Sequence, residues 1–150
     1  MSEGGASLRA ATWAVRLAYA AVFVLNVMCA IQFVAAPASF AGAYQLSGVA
    51  GEAAVRGIGV VFLMWNATYP LFVAQPRRHM ALGAIVLVQQ AIGCVGECAI
   101  LLTLPPAGYE VLASSIARFV AFDAAGLVVM GVAYAWLAIA CKRDVKAERS

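Results

Sequence analysis

The sequence predicts an all-α protein, a bundle of four transmembrane helices in up-down topology, and three observations carry that prediction. Of the 150 residues, 65% are hydrophobic and 11% charged, with a mean hydropathy of +0.91, whereas about half of a soluble domain is apolar. The apolar residues gather into four runs, at 17–36, 50–74, 81–104 and 111–140. Each run reaches the roughly 20 helical residues needed to cross the hydrocarbon of a bilayer. Between them lie Pro37, the turn Gln75-Pro76-Arg77-Arg78-His79, and Pro105-Pro106. No length is left for a soluble domain, so residues 1–150 are expected to form one integral, multi-pass domain in the cell membrane.

In chain order, residues 1–12 are small and polar and read as a disordered or interfacial start. The first run follows Arg16 and is interrupted only by Asn26 and Gln32. Ala36-Pro37-Ala38 before Ser39 has the look of a signal-peptide cleavage site. The run nevertheless exceeds the roughly 7 to 15 apolar residues of a signal-peptide core, so it reads as a retained span. Pro37 ends it, and residues 37–48 read as a loop in which Phe40 and Tyr44 suit a membrane interface.

The second helix is expected to begin near Val49, with Glu52 and Arg56 four apart in the favourable acid-first order. Asn66 lies near its middle, and Pro70 should kink it. The third span carries Gln89, Gln90 and Glu97 inside an apolar run. Gln90, Cys94, Glu97 and Leu101 recur at spacings of 4, 3 and 4, which gives one polarised face, and Gly93 and Gly96 permit close approach by a neighbour. After the short loop Ala107-Gly108-Tyr109-Glu110, the fourth helix carries Arg118 and Asp123. Its Ala117, Ala121 and Ala125 form a small-residue stripe suited to packing. Tyr134 and Trp136 suit the interface, and residues 142–150 make a polar tail.

The net charge of +3 falls beside the apolar runs, with no basic stripe interleaved with aromatics, which speaks against nucleic acid and for membrane orientation. Arg9, Arg16, Arg77, Arg78, Lys142, Arg143, Lys146 and Arg149 flank one side, and only Arg56 and Arg118 belong to the other. Both termini are therefore expected to be cytoplasmic. None of the four cysteines forms a Cys-x-x-Cys pair, and a single His79 cannot ligate haem from both sides. Cys94 and Cys98 would supply half a zinc site with no further ligand nearby in sequence. There is no nucleophile elbow, phosphate loop, dinucleotide fingerprint or metalloprotease helix. Neither a cofactor nor catalysis is expected.

A charge facing lipid costs a few kcal/mol, so Glu97, Arg118, Asp123 and Arg56 are expected to turn inward in the outer half of the bundle, with Gln90 and Gln32. Arg118 and Asp123 are five apart and about 140° around the helix from each other. Arg118 is accordingly expected to pair with Glu97, leaving Asp123 protonated, paired with Arg56, or hydrogen-bonded to Gln32 or Asn26. This polar centre is the candidate ligand or proton site; the competing reading is that it only fixes helix pairing. Trp65 and Tyr69, four apart, could stack a quinone ring or serve as core.

The second helix opens Ala54-Val55-Arg56-Gly57-Ile58-Gly59. Together with a first span ending in a Pro-containing loop, a tight basic turn and two further spans, this resembles the DoxX-like group of small four-helix membrane proteins. The resemblance implies a four-helix membrane bundle, with Arg56 as a structural or pocket residue. It also implies an association, in some members, with quinone-linked or sulfur-linked oxidoreductase systems. The function expected is a bundle set in membrane lipid that binds a small hydrophobic or anionic ligand, or serves as a homo-oligomer or partner subunit of a membrane complex. The alternatives are a small proton-coupled transporter using Glu97 or Asp123, and a quinone-linked oxidoreductase subunit.

Overall fold

The computed structural model describes residues 3–148, which form helices and short connections with no strand among them. In order these are α1 (Glu3–Ala35), α2 (Ala38–Ala41) running into a 3₁₀ turn (Gly42–Tyr44), α3 (Gly48–Asn66), α4 (Tyr69–Ala74), α5 (Met80–Thr103) and α6 (Glu110–Glu148). Four stretches, Gly5–Ala35, Gly48–Ala74, Met80–Thr103 and Glu110–Ala147, are long and apolar enough to cross a membrane.

Two expectations about the chain ends are corrected. The polar start is helical from Glu3, because Leu8, Ala11, Val15, Tyr19 and Val22 recur at spacings of 3 and 4 and bury one stripe of α1. The tail is helical as well. α6 runs to Glu148, with Ala140 buried and Cys141 packed against the core. With 33 and 39 residues, α1 and α6 measure about 50 and 58 Å at 1.5 Å per residue, so both extend beyond roughly 30 Å of hydrocarbon. Arg149, counted among the tail's charges, lies outside the described residues.

The expected kink at Pro70 is a local interruption of the hydrogen-bond ladder within the Gly48–Ala74 span, where Ala67 and Thr68 keep right-handed helical backbone angles. Proline lacks the N–H that would continue the ladder, and its ring clashes with the carbonyl four residues back, here that of Asn66. α3 accordingly ends at Asn66 and α4 restarts at Tyr69. The restart turns Tyr69 and Phe72 into the core, where they meet Tyr19 at centroid distances of 6.1 and 4.6 Å. The phenols of Tyr19 and Tyr134 donate to the carbonyls of Gly83 and Met80, each at 3.1 Å, and fasten the start of α5 to α1 and α6.

α1 is the central helix, packed along α3 and α6, while α5 packs on α6 and α4 fits between α1 and α5. At Gly59, α3 comes so close to α1 that an added Cβ would lie 2.8 Å from the Ala30 carbonyl oxygen. The alanine stripe on α6 does not pack as expected, for Ala117, Ala121 and Ala125 all face outward. Gly96 likewise has nothing within 4 Å of a Cβ position. α3 packs comparably with neither α5 nor α6, which leaves the space described next.

Candidate ligand cavity

The second half of α1 presents Asn26, Cys29 and Phe33 at spacings of 3 and 4, hence on one face. α6 opposes it with Ser115, Arg118, Phe119, Phe122 and Asp123, and α3 contributes Phe62. The connection after α1 folds back as α2 and the 3₁₀ turn and brings Phe40, Ala43 and Tyr44 over the end. These residues line an open-sided cavity of about 480 Å³, within the roughly 300 to 1,000 Å³ of small-molecule sites.

Its wall is a ring cluster. Phe33 lies 5.0 Å from Phe40, 6.0 Å from Tyr44 and 6.3 Å from both Phe62 and Phe119 between ring centroids. The Tyr44 and Phe119 rings stack at 6.4 Å. Gln45 holds this cover down. It sits at φ 53, a left-handed backbone that costs a non-glycine residue energy. Its amide donates to the Gly108 carbonyl at 2.7 Å and accepts from Leu112 N–H at 3.1 Å. The second bond satisfies one of the first N–H groups of α6, which have no partner within the helix.

Of the residues expected at a polar centre, Arg118 and Asp123 line the cavity, and Gln90 stands directly behind Asp123. The Gln90 amide, 3% exposed, donates to Asp123 Oδ1 at 2.9 Å and to its carbonyl at 3.4 Å. Each helix offers a glycine to the other's polar side chain. A Cβ on Gly93 would lie 3.1 Å from Asp123 Oδ2, and one on Gly126 would lie 3.3 Å from the Gln90 amide nitrogen. The close approach expected at Gly93 thus has a function beyond packing, since it admits a carboxylate.

The other pairings fall out differently. Arg118 donates to Ser115 Oγ at 3.2 Å, and Glu97 Oε2 is buried without a hydrogen-bond partner, so the expected Arg118–Glu97 pair does not form. Seven residues of α5 separate Glu97 from Gln90, about 10 Å of helix, and Glu97 lies outside the cavity lining. Gln32 is exposed and outside it too. Arg56 is also exposed; its Nε donates to the Val34 carbonyl at 3.2 Å, which caps the end of α1 and leaves Glu52 unused. Neither Arg56 nor Gln32 meets Asp123, because both sit one to two turns nearer the loops. Trp65 lies over Gly93 and Tyr69 packs on Tyr19 and Phe23, so both belong to the helix packing.

Sequence reasoning missed the aromatic wall. The spacing of Asn26, Cys29 and Phe33, matched by Phe119 and Phe122 beside Asp123, was the available signal. A further polar group surrounds the α3–α4 break, where Asn66 Oδ1, Thr68 Oγ1 and Tyr69 OH are buried without partners. No three His, Cys, Asp or Glu side chains among the described residues stand close enough to hold a metal. No model of a known protein family, no curated protein and no solved structure matches the chain.

Proposed function

We propose that this protein is a small integral protein of the cell membrane, in up-down topology with both termini cytoplasmic, that binds an apolar molecule bearing an acceptor-rich or anionic head. The observation that carries this reading is the aromatic-walled cavity with Arg118 and Asp123 on its lining. Rings take up a flat or isoprenoid body, because aromatic faces and edges give large contact at fixed geometry. Arg118, held by one bond to Ser115, keeps its remaining donors for a carboxylate, phosphate or ketone oxygen. Asp123 and Gln90 close the inner end. The bias of Lys and Arg toward the end with the 75–79 turn supports the orientation. Membership of the DoxX-like group belongs to the same proposal, supported by the four-helix layout and by Arg56 in a structural role at the α1 end.

Native mass spectrometry of protein extracted from its membrane tests the reading. Wild type is expected to carry a small molecule that Ala43→Trp, which fills the cavity with an indole, does not retain. Arg118→Ala should weaken retention roughly tenfold or more, the worth of a charge-assisted hydrogen bond. Arg143→Ala, on the exposed tail, should leave it unchanged. Equal occupancy in all four proteins sinks the proposal.

A second reading, a small proton-coupled transporter, is favoured by one observation: Glu97 Oε2 and the polar atoms at the α3–α4 break are buried without partners. Intramembrane groups of that kind commonly carry protons or water. In proteoliposomes, uptake of a cationic dye driven by a pH gradient should vanish in Glu97→Gln. Uptake unaffected by that substitution removes this reading.

A further inference from the structure

The opposite end of the bundle holds a second concavity, of about 390 Å³, some 17 residues and thus about 25 Å along α1 from the aromatic cavity. The early turns of α1 face the 75–79 turn there, and Arg9, Arg16, Arg77 and Arg78 line it from both sides. None of its lining residues, as described, is acidic.

Arg16 is built into this place. Its Nε and Nη2 donate to the carbonyls of Val73 and Ala74 at 3.2 and 2.9 Å, in the last turn of α4, where carbonyls lack helical partners. Its guanidinium also lies 5.1 Å from the centroid of Trp13, a cation–π distance. Pro76, fully buried, fixes the turn that presents Arg77 and Arg78. Both of these are exposed, and neither guanidinium makes a hydrogen bond among the described residues, the Arg78 backbone N–H alone donating to the Gln75 carbonyl at 3.1 Å. Trp13, on the lining, and Leu17, one turn further along α1, are 59% and 67% exposed.

Orientation of the chain needs positive charge at this end, but it does not need that charge gathered around a hollow or one arginine fastened by two carbonyls and a ring. We propose that the hollow is a binding site for a phosphate group at the membrane surface. Guanidinium forks match phosphate oxygens in pairs. Arg77 and Arg78 would supply the free donors, and the fixed Arg16 sets the field. The site rests on the membrane reading of the chain and is independent of the aromatic cavity. A lipid headgroup and a soluble phosphate present the same chemistry, and two arms of one experiment separate them.

In the first arm, wild type, Arg77→Gln/Arg78→Gln, and Lys142→Gln/Arg143→Gln are placed in nanodiscs of phosphatidylcholine and phosphatidylglycerol, and the lipids retained are counted by native mass spectrometry. In the second, inorganic phosphate and pyrophosphate are titrated into each protein in neutral detergent. Near a membrane surface each arginine contributes roughly fivefold, so the Arg77/Arg78 variant should lose about thirtyfold in preference for the anionic ligand. The tail variant removes the same charge from residues that do not line the hollow and should lose clearly less than the turn variant. Arg78→Glu alone, at an exposed position, should act in the same direction. Selection of phosphatidylglycerol marks a lipid as the source, and saturable binding of inorganic phosphate or pyrophosphate without lipid selection marks a soluble one; either supports the site. Equal losses in the turn and tail variants, or no binding in either arm, overturn it.

Discussion

Gly59→Ala is expected to lower the unfolding midpoint in detergent by the equivalent of roughly 1–3 kcal/mol, whereas Gly57→Ala leaves it unchanged or raises it. Both substitutions replace glycine in the same exposed-to-buried stretch of α3, and in both the helix gains up to about 1 kcal/mol of propensity. What separates them is the neighbour. A Cβ at position 57 meets nothing within 4 Å, while at position 59 it would lie 2.8 Å from the Ala30 carbonyl oxygen and 2.9 Å from the Phe33 Cβ and a Val34 methyl. A carbonyl oxygen and a Cβ cannot rotate aside, so the helices must separate. Helix association in lipid depends on close van der Waals contact, so separation forfeits it along the crossing. Phe33 also forms the cavity wall, and Gly59→Ala should reduce ligand retention alongside stability. Equal midpoints for the two variants would mean that α1 and α3 do not cross at Gly59.

Gln90→Leu should destabilise the protein, and Gln90→Leu combined with Asp123→Ala should cost less than the two single changes added. Gln90 gives Asp123 its side-chain hydrogen bond at 2.9 Å, at the α5–α6 contact where Gly93 admits the carboxylate beside the indole of Trp65. Removing one partner leaves the other buried and unsatisfied, at about 1–3 kcal/mol; removing both leaves neither. Hydrogen bonds between transmembrane helices couple by about 0.6 kcal/mol on average and up to about 1.7, and a carboxylate acceptor places this pair toward the upper figure. Asp123→Asn keeps an acceptor oxygen and should remain close to wild type. Strict additivity in the double-mutant cycle would show that the two side chains do not act together.

Much of the architecture is legible residue by residue. The four runs and their proline and glycine punctuation follow from hydropathy and helix-breaking chemistry, and the cost of charge in lipid singles out Gln90, Arg118 and Asp123 as candidates, which the structure places on or beside one cavity. The first turns of α1 were not legible as helix, because Arg9 and Thr12 lower the mean hydropathy even though Leu8, Ala11 and Val15 hold the period. Arg118 was expected to pair with Glu97, whereas its guanidinium donates to Ser115 Oγ. Gln90 and Glu97 share one face of α5, two turns apart, so the axial register of α5 against α6, set where Gly93 and Gly126 meet the other helix's polar group, brings Gln90 to Asp123. Gln45 gave no warning of its role, for its value comes from two contacts with residues more than sixty positions away.

Four helices able to cross a membrane, and the basic residues that flank them, are set by the sequence alone, since hydropathy, helix-breaking chemistry and charge are local properties. It took helix packing to bring six aromatic rings from four segments around an open-sided hollow, to join Asp123 to Gln90, and to gather the arginines of α1 and the 75–79 turn along one concavity. A helix apolar all round looks the same to lipid after a rotation of about 100°, so hydropathy leaves its facing free, and close packing against glycine and ring edges selects one.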